Sequence, residues 1–254
     1  MSVAGRCVLV TAGAGGAGLV IARKFAEAGA NVVVCDIDVA AVSRANGGGL
    51  MAVVADVARE ADVESVFTHA EARYGAVQVL VNNVGIAGPT AAVEHVSVGD
   101  WERTLGANLT SHFLCIRRAV PAMKTARAGV IINISSGSAK VGLPLRVPYV
   151  VTKGAVLSLT TTLARELGPS GIRVNAILPG AIRGERINRI IRDKAAALDI
   201  EPSEYERRLL RYISLRTMVE PEDIAAMALF LASDAGARIT GQLIGVDGNV
   251  EYEE

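Results

Sequence analysis

Arg6-Cys7-Val8-Leu9-Val10-Thr11-Ala12-Gly13-Ala14-Gly15-Gly16-Ala17-Gly18 carries the reading from which the architecture follows. Residues 6–11 are a short apolar run with β-branched members, the pattern of a buried parallel strand. The glycines after it permit a tight turn and a close approach of another group to the backbone. Leu19 to Ala28 reads as a helix, and a helix start at this point offers free N–H groups and a positive dipole end to a phosphate. A second strand, Asn31 to Asp36, has Val32, Val33 and Val34 as its body and closes on an acid eighteen residues after Gly18. A glycine-rich turn alone is a weak signal. A strand before it, a helix after it and a second strand ending in an acid turn it into a dinucleotide-binding pattern.

Asp36 sets the expected dinucleotide. A carboxylate there accepts hydrogen bonds from both ribose hydroxyls of an adenosine and repels a 2′-phosphate at close range. No basic residue lies between Thr11 and Gly18, so NAD is expected in preference to NADP.

Further along, strands alternate with helices. Strands are expected at Leu50–Asp56, Val77–Asn82, Gly129–Ile134, Arg173–Leu178 and Gln242–Asp247. Helices are expected over Asp62–Tyr74, from Trp101 behind a Ser97–Asp100 capping box, and over Asn108–Lys124, Tyr149–Leu167 and Pro221–Ser233. This alternation predicts an α/β fold, a Rossmann-like, doubly wound parallel sheet of about seven strands with helices on both faces. At 254 residues and 51% hydrophobic content, the chain suits one domain over 1–254.

A second constellation bears on chemistry. Tyr149 and Lys153 are four residues apart and share one helix face, and Ser136 lies thirteen residues before the tyrosine. A phenol with its reference pKa near ~10 is a poor base at neutral pH. A nearby ammonium favours tyrosinate and makes Tyr149 a usable general acid/base. Ser136 can steady the oxygen that gains or loses the proton. Ser135, its neighbour, competes for that role.

Other function classes find little support. Twenty-six basic and 26 acidic residues cancel, which does not suit an electrostatic nucleic-acid binder. No stretch of ~18 or more apolar residues suggests a membrane span, and the N-terminus lacks the basic and apolar regions of a signal peptide. Cys7, Cys35 and Cys115 have no paired spacing and read as reduced core residues of a cytoplasmic protein. His69, His95 and His112 show no metal-ligand pairing, so no metal is expected.

With these motifs in place, the chain resembles the short-chain dehydrogenase/reductase family over essentially its whole length. The resemblance rests on Thr11–Gly18, Asp56-Val57, Asn82–Gly85, Asn108, Ser136, Tyr149/Lys153, Pro179-Gly180 and Thr240-Gly241-Gln242 through Val246-Asp247-Gly248. It implies an NAD-dependent enzyme that interconverts a secondary alcohol and a ketone by hydride transfer. Tyr149 would act at the substrate oxygen, Lys153 would bind the nicotinamide ribose and lower the tyrosine pKa, and Ser136 would bond the substrate oxygen. Asn108 would hold a water that links Lys153 to solvent. Gly13, Gly15, Gly16, Ala17, Gly18, Asp36, Asp56, Val57, Asn83, Gly85, Pro179, Gly180 and Ile182 would join Tyr149 and Lys153 in holding the cofactor, with Asp56 at the adenine edge and Asn83 along the adenosine ribose.

Three positions depart from the family pattern: Ala12 and Val84, where the family carries glycine and alanine, and Gly184, where many relatives carry a threonine that bonds the nicotinamide carboxamide. If its site requires a positive φ, Ala12 is mildly strained there.

Residues 184–216 would form a lid over the small-molecule substrate. Ile187, Ile190, Ile191, Ala195 and Leu198 fit one helical stripe and Tyr205, Leu209 and Ile213 a second, so two amphipathic helices are expected, with Glu185/Arg189, Arg189/Asp193 and Glu204/Arg208 as i,i+4 pairs. Arg146 and Arg183 flank the expected nicotinamide region and make an acidic or phosphorylated substrate a candidate, with Ser138, Val141, Leu143 and Tyr205 as further pocket walls. The broad apolar arcs of helices 108–124 and 149–167 suggest burial on two sides, and the resemblance implies a homotetramer, with a dimer as runner-up. Two alternatives stand beside this reading: a 3-oxoacyl carrier-protein reductase-like enzyme and a non-catalytic NAD-binding regulator.

Overall fold

A computed structural model describes residues 2–250. Seven parallel strands form one sheet: β1 (Cys7–Thr11), β2 (Asn31–Asp36), β3 (Leu50–Val54), β4 (Val79–Asn82), β5 (Gly129–Ile134), β6 (Ile172–Pro179) and β7 (Leu243–Val246). Their order across the sheet is β3-β2-β1-β4-β5-β6-β7. Between them run α1 (Gly16–Glu27), α2 (Val39–Ala45), α3 (Glu60–Tyr74), α4 (Val98–Leu105), α5 (Ser111–Ala126), the single turn α6 (Ser138–Val141), α7 (Val147–Leu167), α8 (Glu185–Ala197), α9 (Pro202–Arg211) and α10 (Pro221–Ala232).

The strands bury both faces, which explains why they read as unbroken apolar runs. Val8, Val10, Val32, Val34, Val81 and Ile132 point to one side and pack on Ile21 and Phe25 of α1 and on Ile224, Ala228 and Leu231 of α10. Their neighbours Leu9, Val33, Leu80 and Ile131 point to the other and meet Phe67 of α3, Cys115 and Met123 of α5 and Leu167 of α7. Fully buried rings such as Phe25 and Phe67 each contribute about 1.5–3 kcal/mol relative to exposure. Two cores on opposite faces make the doubly wound sandwich that the alternation predicts.

β1 is hydrogen-bonded to β2 on one side and β4 on the other. The chain therefore reverses its direction of travel across the sheet after β3, and a crevice opens beyond the carboxyl ends of β1 and β4. Ligands of open α/β sheets bind at such a point.

Several boundaries differ from the sequence reading. β3 ends at Val54, before Asp56, because Asp56 turns the chain: its Oδ1 accepts from the Ala58 N–H at 3.0 Å. Helix α1 begins at Gly16, inside the glycine run. Helix α2 has no counterpart in the sequence reading; Asp38 caps it by accepting from the Ala41 N–H at 2.9 Å. The Ser97/Asp100 pair opens α4 at Val98, three residues before Trp101, with the Asp100 N–H donating to Ser97 Oγ at 3.0 Å. The helix expected from Asn108 does not start there. α4 runs through a π-helical turn, Gly106–Thr110, into α5, so Asn108 lies inside a continuous helical rod and not at a cap.

The 184–216 segment does form two helices, α8 and α9. Ile191, Ala195 and Ile213 are buried, whereas Leu198, at the edge of its stripe, is 54% exposed. Glu185 pairs with Arg192 at 2.7 Å, and Glu204 pairs with Arg208 at 3.0 Å as the spacing predicts. No helix among the described residues is long and apolar enough to cross a membrane.

Candidate active site

The crevice is built from the loops that follow β1, β4, β5 and β6, closed on one side by α7. After β1 the chain makes its glycine turn. Ala12 takes φ +48°, the left-handed conformation that the sequence pattern put in question. Gly18 is where the turn and the helix come closest: a Cβ there would lie 2.2 Å from the Ala12 carbonyl oxygen and 2.6 Å from Asn83 Nδ2. Asn83 ties the turn down, its Nδ2 donating to the carbonyls of Thr11 and Ala12, both at 3.1 Å. Thr11 Oγ1 in return accepts from the N–H groups of Asn83 and Val84, at 3.0 and 3.2 Å. Asn83, expected along a ribose, thus has its amide engaged in fastening β4 to the glycine turn.

Helix α1 carries no acid in its first turn and no side-chain cap, and its first backbone bond runs from the Leu19 N–H to the Gly15 carbonyl at 3.1 Å. The N–H groups of Gly16, Ala17 and Gly18 therefore have no intrahelical acceptor. Asp36 stands at the end of β2 in this crevice. Its Oδ1 accepts from the Asp38 N–H at 3.2 Å, and among the described residues the half-buried carboxylate has no other hydrogen-bond or ion-pair partner.

Across the crevice, side-chain hydrogen bonds join α7 to the end of β5. Lys153 Nζ donates to the Ile134 carbonyl at 2.9 Å, at the last residue of β5 and two before Ser136. Lys153 is 3% exposed, and burial first, then the charge of Arg186, pushes its pKa down to about 7. Gly85 makes room for it: a Cβ at that position would lie 3.0 Å from Nζ and 3.5 Å from Asn108 Oδ1. Ser135 is buried and donates its hydroxyl to the Lys153 carbonyl at 2.8 Å, so it fastens α7 to β5 and is taken up there. Ser136 is left for the crevice. Ser138, expected as a pocket wall, donates to it instead, Oγ to Oγ at 2.9 Å, and the Ser138 N–H donates to the same oxygen at 3.3 Å.

Asn108 is fully buried in the π turn. Its Oδ1 accepts from the Ile86 N–H at 2.7 Å, and its Nδ2 donates to the Ile86 carbonyl at 3.0 Å and to Thr152 Oγ1 at 3.1 Å. Thr152 in turn donates to the Tyr149 carbonyl at 2.8 Å. The π turn aims this amide inward, where it locks the loop after β4 to the helix that carries Tyr149 and Lys153. His112, one turn further on, is buried with Nε2 3.4 Å from the Val84 carbonyl oxygen. Burial, with the Lys153 charge second, holds its pKa down to about 3, so its ring is neutral.

Two guanidinium groups flank the Tyr149 ring, Arg146 at 5.3 Å and Arg186 at 6.0 Å from its centroid. Arg146, just before α7, donates to the Ala87 carbonyl at 2.8 Å and to Thr90 Oγ1 at 3.4 Å. Arg186 comes from α8 and is the site residue that sequence reading passed over, because nothing in a linear pattern shows which lysine or arginine of a charged helix folds back onto a distant tyrosine. Arg183, expected near the nicotinamide, is held by Glu220 at 2.8 Å, with Glu206 at 3.8 Å. Tyr205, on α9, is half-buried, and burial with Tyr212 nearby raises its pKa.

With that geometry in view, comparison with known proteins is informative. The family described as enoyl-(acyl carrier protein) reductase matches residues 12–250. The chain belongs to the short-chain dehydrogenase/reductase family.

Its relatives within that family are many and chemically varied. A protein of Xanthobacter autotrophicus named 2-(S)-hydroxypropyl-CoM dehydrogenase 3 is 34% identical over 96% of this chain and 95% of its own. The crystal structure of a 3-ketoacyl-(acyl-carrier-protein) reductase from Brucella melitensis, complexed with NADH, superposes with a TM-score of 0.86 at 32% identity, covering 97% of this chain and 98% of that one. An NAD+-bound xylitol dehydrogenase superposes with a TM-score of 0.90 at 28% identity over 96% and 98%. This short-chain dehydrogenase/reductase is accordingly an oxidoreductase with a fold that binds NAD(H) or NADP(H). Within the family pattern, the Pro179–Ile182 stretch is anchored on both sides: the Gly180 N–H donates to the Val246 carbonyl at 3.0 Å, and Ile182 bridges to Val219.

Proposed function

We propose that this enzyme interconverts a secondary alcohol and a ketone with NAD, using Tyr149 as general acid/base. The observation that carries the reading is the 2.9 Å bond from Lys153 Nζ to the Ile134 carbonyl, which brings the Tyr149/Lys153 turn of α7 to the strand end that bears Ser136. The donor set of the crevice fits a dinucleotide. Free N–H groups of Gly16, Ala17 and Gly18 suit a pyrophosphate. The Asp36 carboxylate suits ribose hydroxyls, and Asp38 beside it adds a second acid with no base in the turn. Gly13, Gly15, Val57, Gly85, Lys153, Pro179, Gly180 and Ile182 complete the proposed site. The bound nicotinamide supplies the hydride chemistry.

This chain's own residues handle the proton. Tyr149 Oη takes the hydroxyl proton of the alcohol, or returns it to the ketone oxygen. Ser136 Oγ, which already accepts from Ser138, has its own hydrogen to donate to that oxygen. Lys153, one turn along α7 from Tyr149, would bind the nicotinamide ribose. Asn108 positions the pair through Thr152 and Ile86. General acid/base help of this kind is worth about 10²–10⁴-fold in rate.

The reading extends to the rest of the molecule. The 184–216 segment acts as the lid of the substrate pocket within one domain spanning 1–254. Phe113 and Val151 are 49% and 45% exposed on the two long apolar helices, which supports their pairing with further copies in a homotetramer. Three buried free thiols suit the cytoplasm. The carrier-protein reductase reading keeps some force, because the Brucella melitensis structure bears that name and holds NADH; cofactor choice alone does not separate the two.

The test is reduced-nicotinamide absorbance against a panel of secondary alcohols and ketones, with NAD and NADP in parallel. Turnover with NAD should fall about 10²–10⁴-fold in Tyr149→Phe. Faster turnover with NADP would overturn the role given to Asp36. Tight NAD binding without turnover of any panel member would favour the regulator.

A further inference from the structure

The charge around Tyr149 is unbalanced. Arg146, Arg186 and Lys153 all lie close to its ring or its helix turn. Among the described residues no carboxylate pairs with Arg146 or Arg186. The neighbouring arginines differ: Arg183 is paired with Glu220, and Arg192 takes Glu185, the acid next to Arg186 in the chain. Arg146 and Arg186 face the Tyr149 ring together, and neither brings an acid with it among the described residues.

Arg146 is the more buried of the pair. Its two terminal nitrogens are satisfied by neutral acceptors, Ala87 O and Thr90 Oγ1, and its Nε is buried with no partner. A buried donor left unpaired costs about 1–3 kcal/mol, and more when charged. Burial and the repulsion of Arg186 both weaken its hold on its proton. An arrangement that opposes itself in the free protein is stabilised when a counter-charge arrives, and functional sites are where such strain is kept.

On these grounds we infer that the substrate is an anion, an alcohol or ketone that carries a carboxylate, phosphate or sulfonate a few bonds from the reacting carbon, gripped between Arg146 on the fixed wall and Arg186 on α8. This rests on the oxidoreductase reading above and names its substrate class. The Arg186 fork matches the paired terminal oxygens of such a group, Arg146 adds the terminal hydrogens that Ala87 and Thr90 leave free, and the two fix its distance from Tyr149. The arrangement also assigns a job to α8: only when that helix lies over the crevice do both guanidinium groups reach one anion.

Matched pairs test it. The enzyme with NAD or NADH is given 3-hydroxybutanoate and its methyl ester, 2-hydroxypropyl phosphate and its dimethyl ester, 2-hydroxypropanesulfonate and the corresponding methyl sulfone, and the neutral thioester acetoacetyl-pantetheine. We expect kcat/KM to favour at least one anion over its neutral partner, and the pairs to tell the three headgroups apart. In Arg186→Gln that preference should shrink about 10- to 100-fold, mainly through KM. Arg146→Lys, which keeps charge and loses the fork, should shrink it as well. Because Arg146 also holds Ala87 and Thr90, the exposed Arg186 is the decisive position.

Equal turnover of acids and esters, a preference for the thioester, or a preference that survives both substitutions would overturn the inference. So would a loss that tracks weaker NAD binding, since the arginines would then serve the cofactor. If no compound shows Tyr149-dependent turnover, the oxidoreductase reading itself fails. Melting of the NAD complex with acetate, methylphosphonate or methanesulfonate at constant ionic strength then decides the anion site: a rise abolished in Arg186→Gln sustains it, and no rise removes it.

Discussion

The glycine turn at Thr11–Gly18 and the 184–216 segment are made in opposite ways. The turn is pinned from inside. Thr11 and Ala12 share four hydrogen bonds with Asn83 and Val84 that join it to the end of β4, and Gly18 sits against the Ala12 backbone and the Asn83 amide with no room to spare. The segment is held more loosely. α8 buries Ile191 and Ala195, α9 buries nothing fully, the Ser214 and Leu215 N–H groups donate to the Asn249 and Gly248 carbonyls at 2.9 and 3.1 Å, and its side-chain contacts include ion pairs at the surface. Such pairs contribute little to stability. Local opening costs least where few apolar contacts would be lost. On the function proposed above, the turn is a rigid cofactor wall and the segment a loosely attached substrate wall, so one scaffold would keep its dinucleotide while the other side varies, which agrees with the different substrates in the names of its relatives.

Two glycines offer the most direct way to overturn this contrast. At Gly18 an added methyl would meet the Ala12 carbonyl at 2.2 Å, and backbone cannot yield cheaply. Gly18→Ala should lower stability by about 1–3 kcal/mol or more and weaken NAD binding with it. Gly184, which precedes α8, has φ +148°, and an added methyl there would have no atom within 4 Å, so only backbone strain opposes alanine. Gly184→Ala should move KM for the substrate, lower the melting temperature by a few degrees through that strain of about 1–3 kcal/mol, and leave NAD affinity nearly as it was. Melting curves and NAD titration of both variants check the pair. Equal effects would show that the two walls are one cooperative unit.

Lys153 refines the contrast at the meeting point of the two walls. Its folded pKa, about 7, is below its ordinary value of 10.5, so between those limits the unfolded chain binds more protons. Stability therefore rises with pH across that window. The contribution is fully present above about pH 10.5 and lost as pH falls through about 7. Lys153→Met should abolish turnover and yet raise the melting temperature of the cofactor-free enzyme, more at pH 6 than at pH 10. A gain that does not depend on pH would mean that the buried ammonium is compensated in a way the geometry does not show.

The same contrast governs what could be read from sequence. Strands buried on both faces announce themselves as apolar runs, and the glycine turn, Asp36 and the Tyr149/Lys153 pair act over short separations, so their spacing is visible in the chain. Helix α2 was not visible because only Ala41, Val42 and Ala45 anchor its seven residues. The join of α4 to α5 was misplaced because a π turn inserts an extra residue and shifts the phase of the apolar stripe. Arg186 owes its position to folding at a distance, as one arginine among several on a charged helix that happens to reach the tyrosine; Ser138 bonds Ser136 through a local turn that its spacing does not announce.

The smallest expected effect concerns Ala12. A left-handed conformation costs a residue with a Cβ about 1–2 kcal/mol, and Ala12 adopts one at φ +48°. Glycine would relieve that strain, but it would also release about 0.5–1 kcal/mol of backbone freedom to the unfolded chain. The net for Ala12→Gly is a gain between about 0 and 1.5 kcal/mol, a rise of a few degrees at most in melting temperature for a chain of this size. The Ala12 carbonyl still receives Asn83, so the turn should keep its shape and its affinity for NAD. A drop in melting temperature would show that the clamp from Asn83 and Thr11 determines the conformation so fully that the strain is already absorbed, and the cofactor wall would then be even stiffer than its hydrogen bonds indicate.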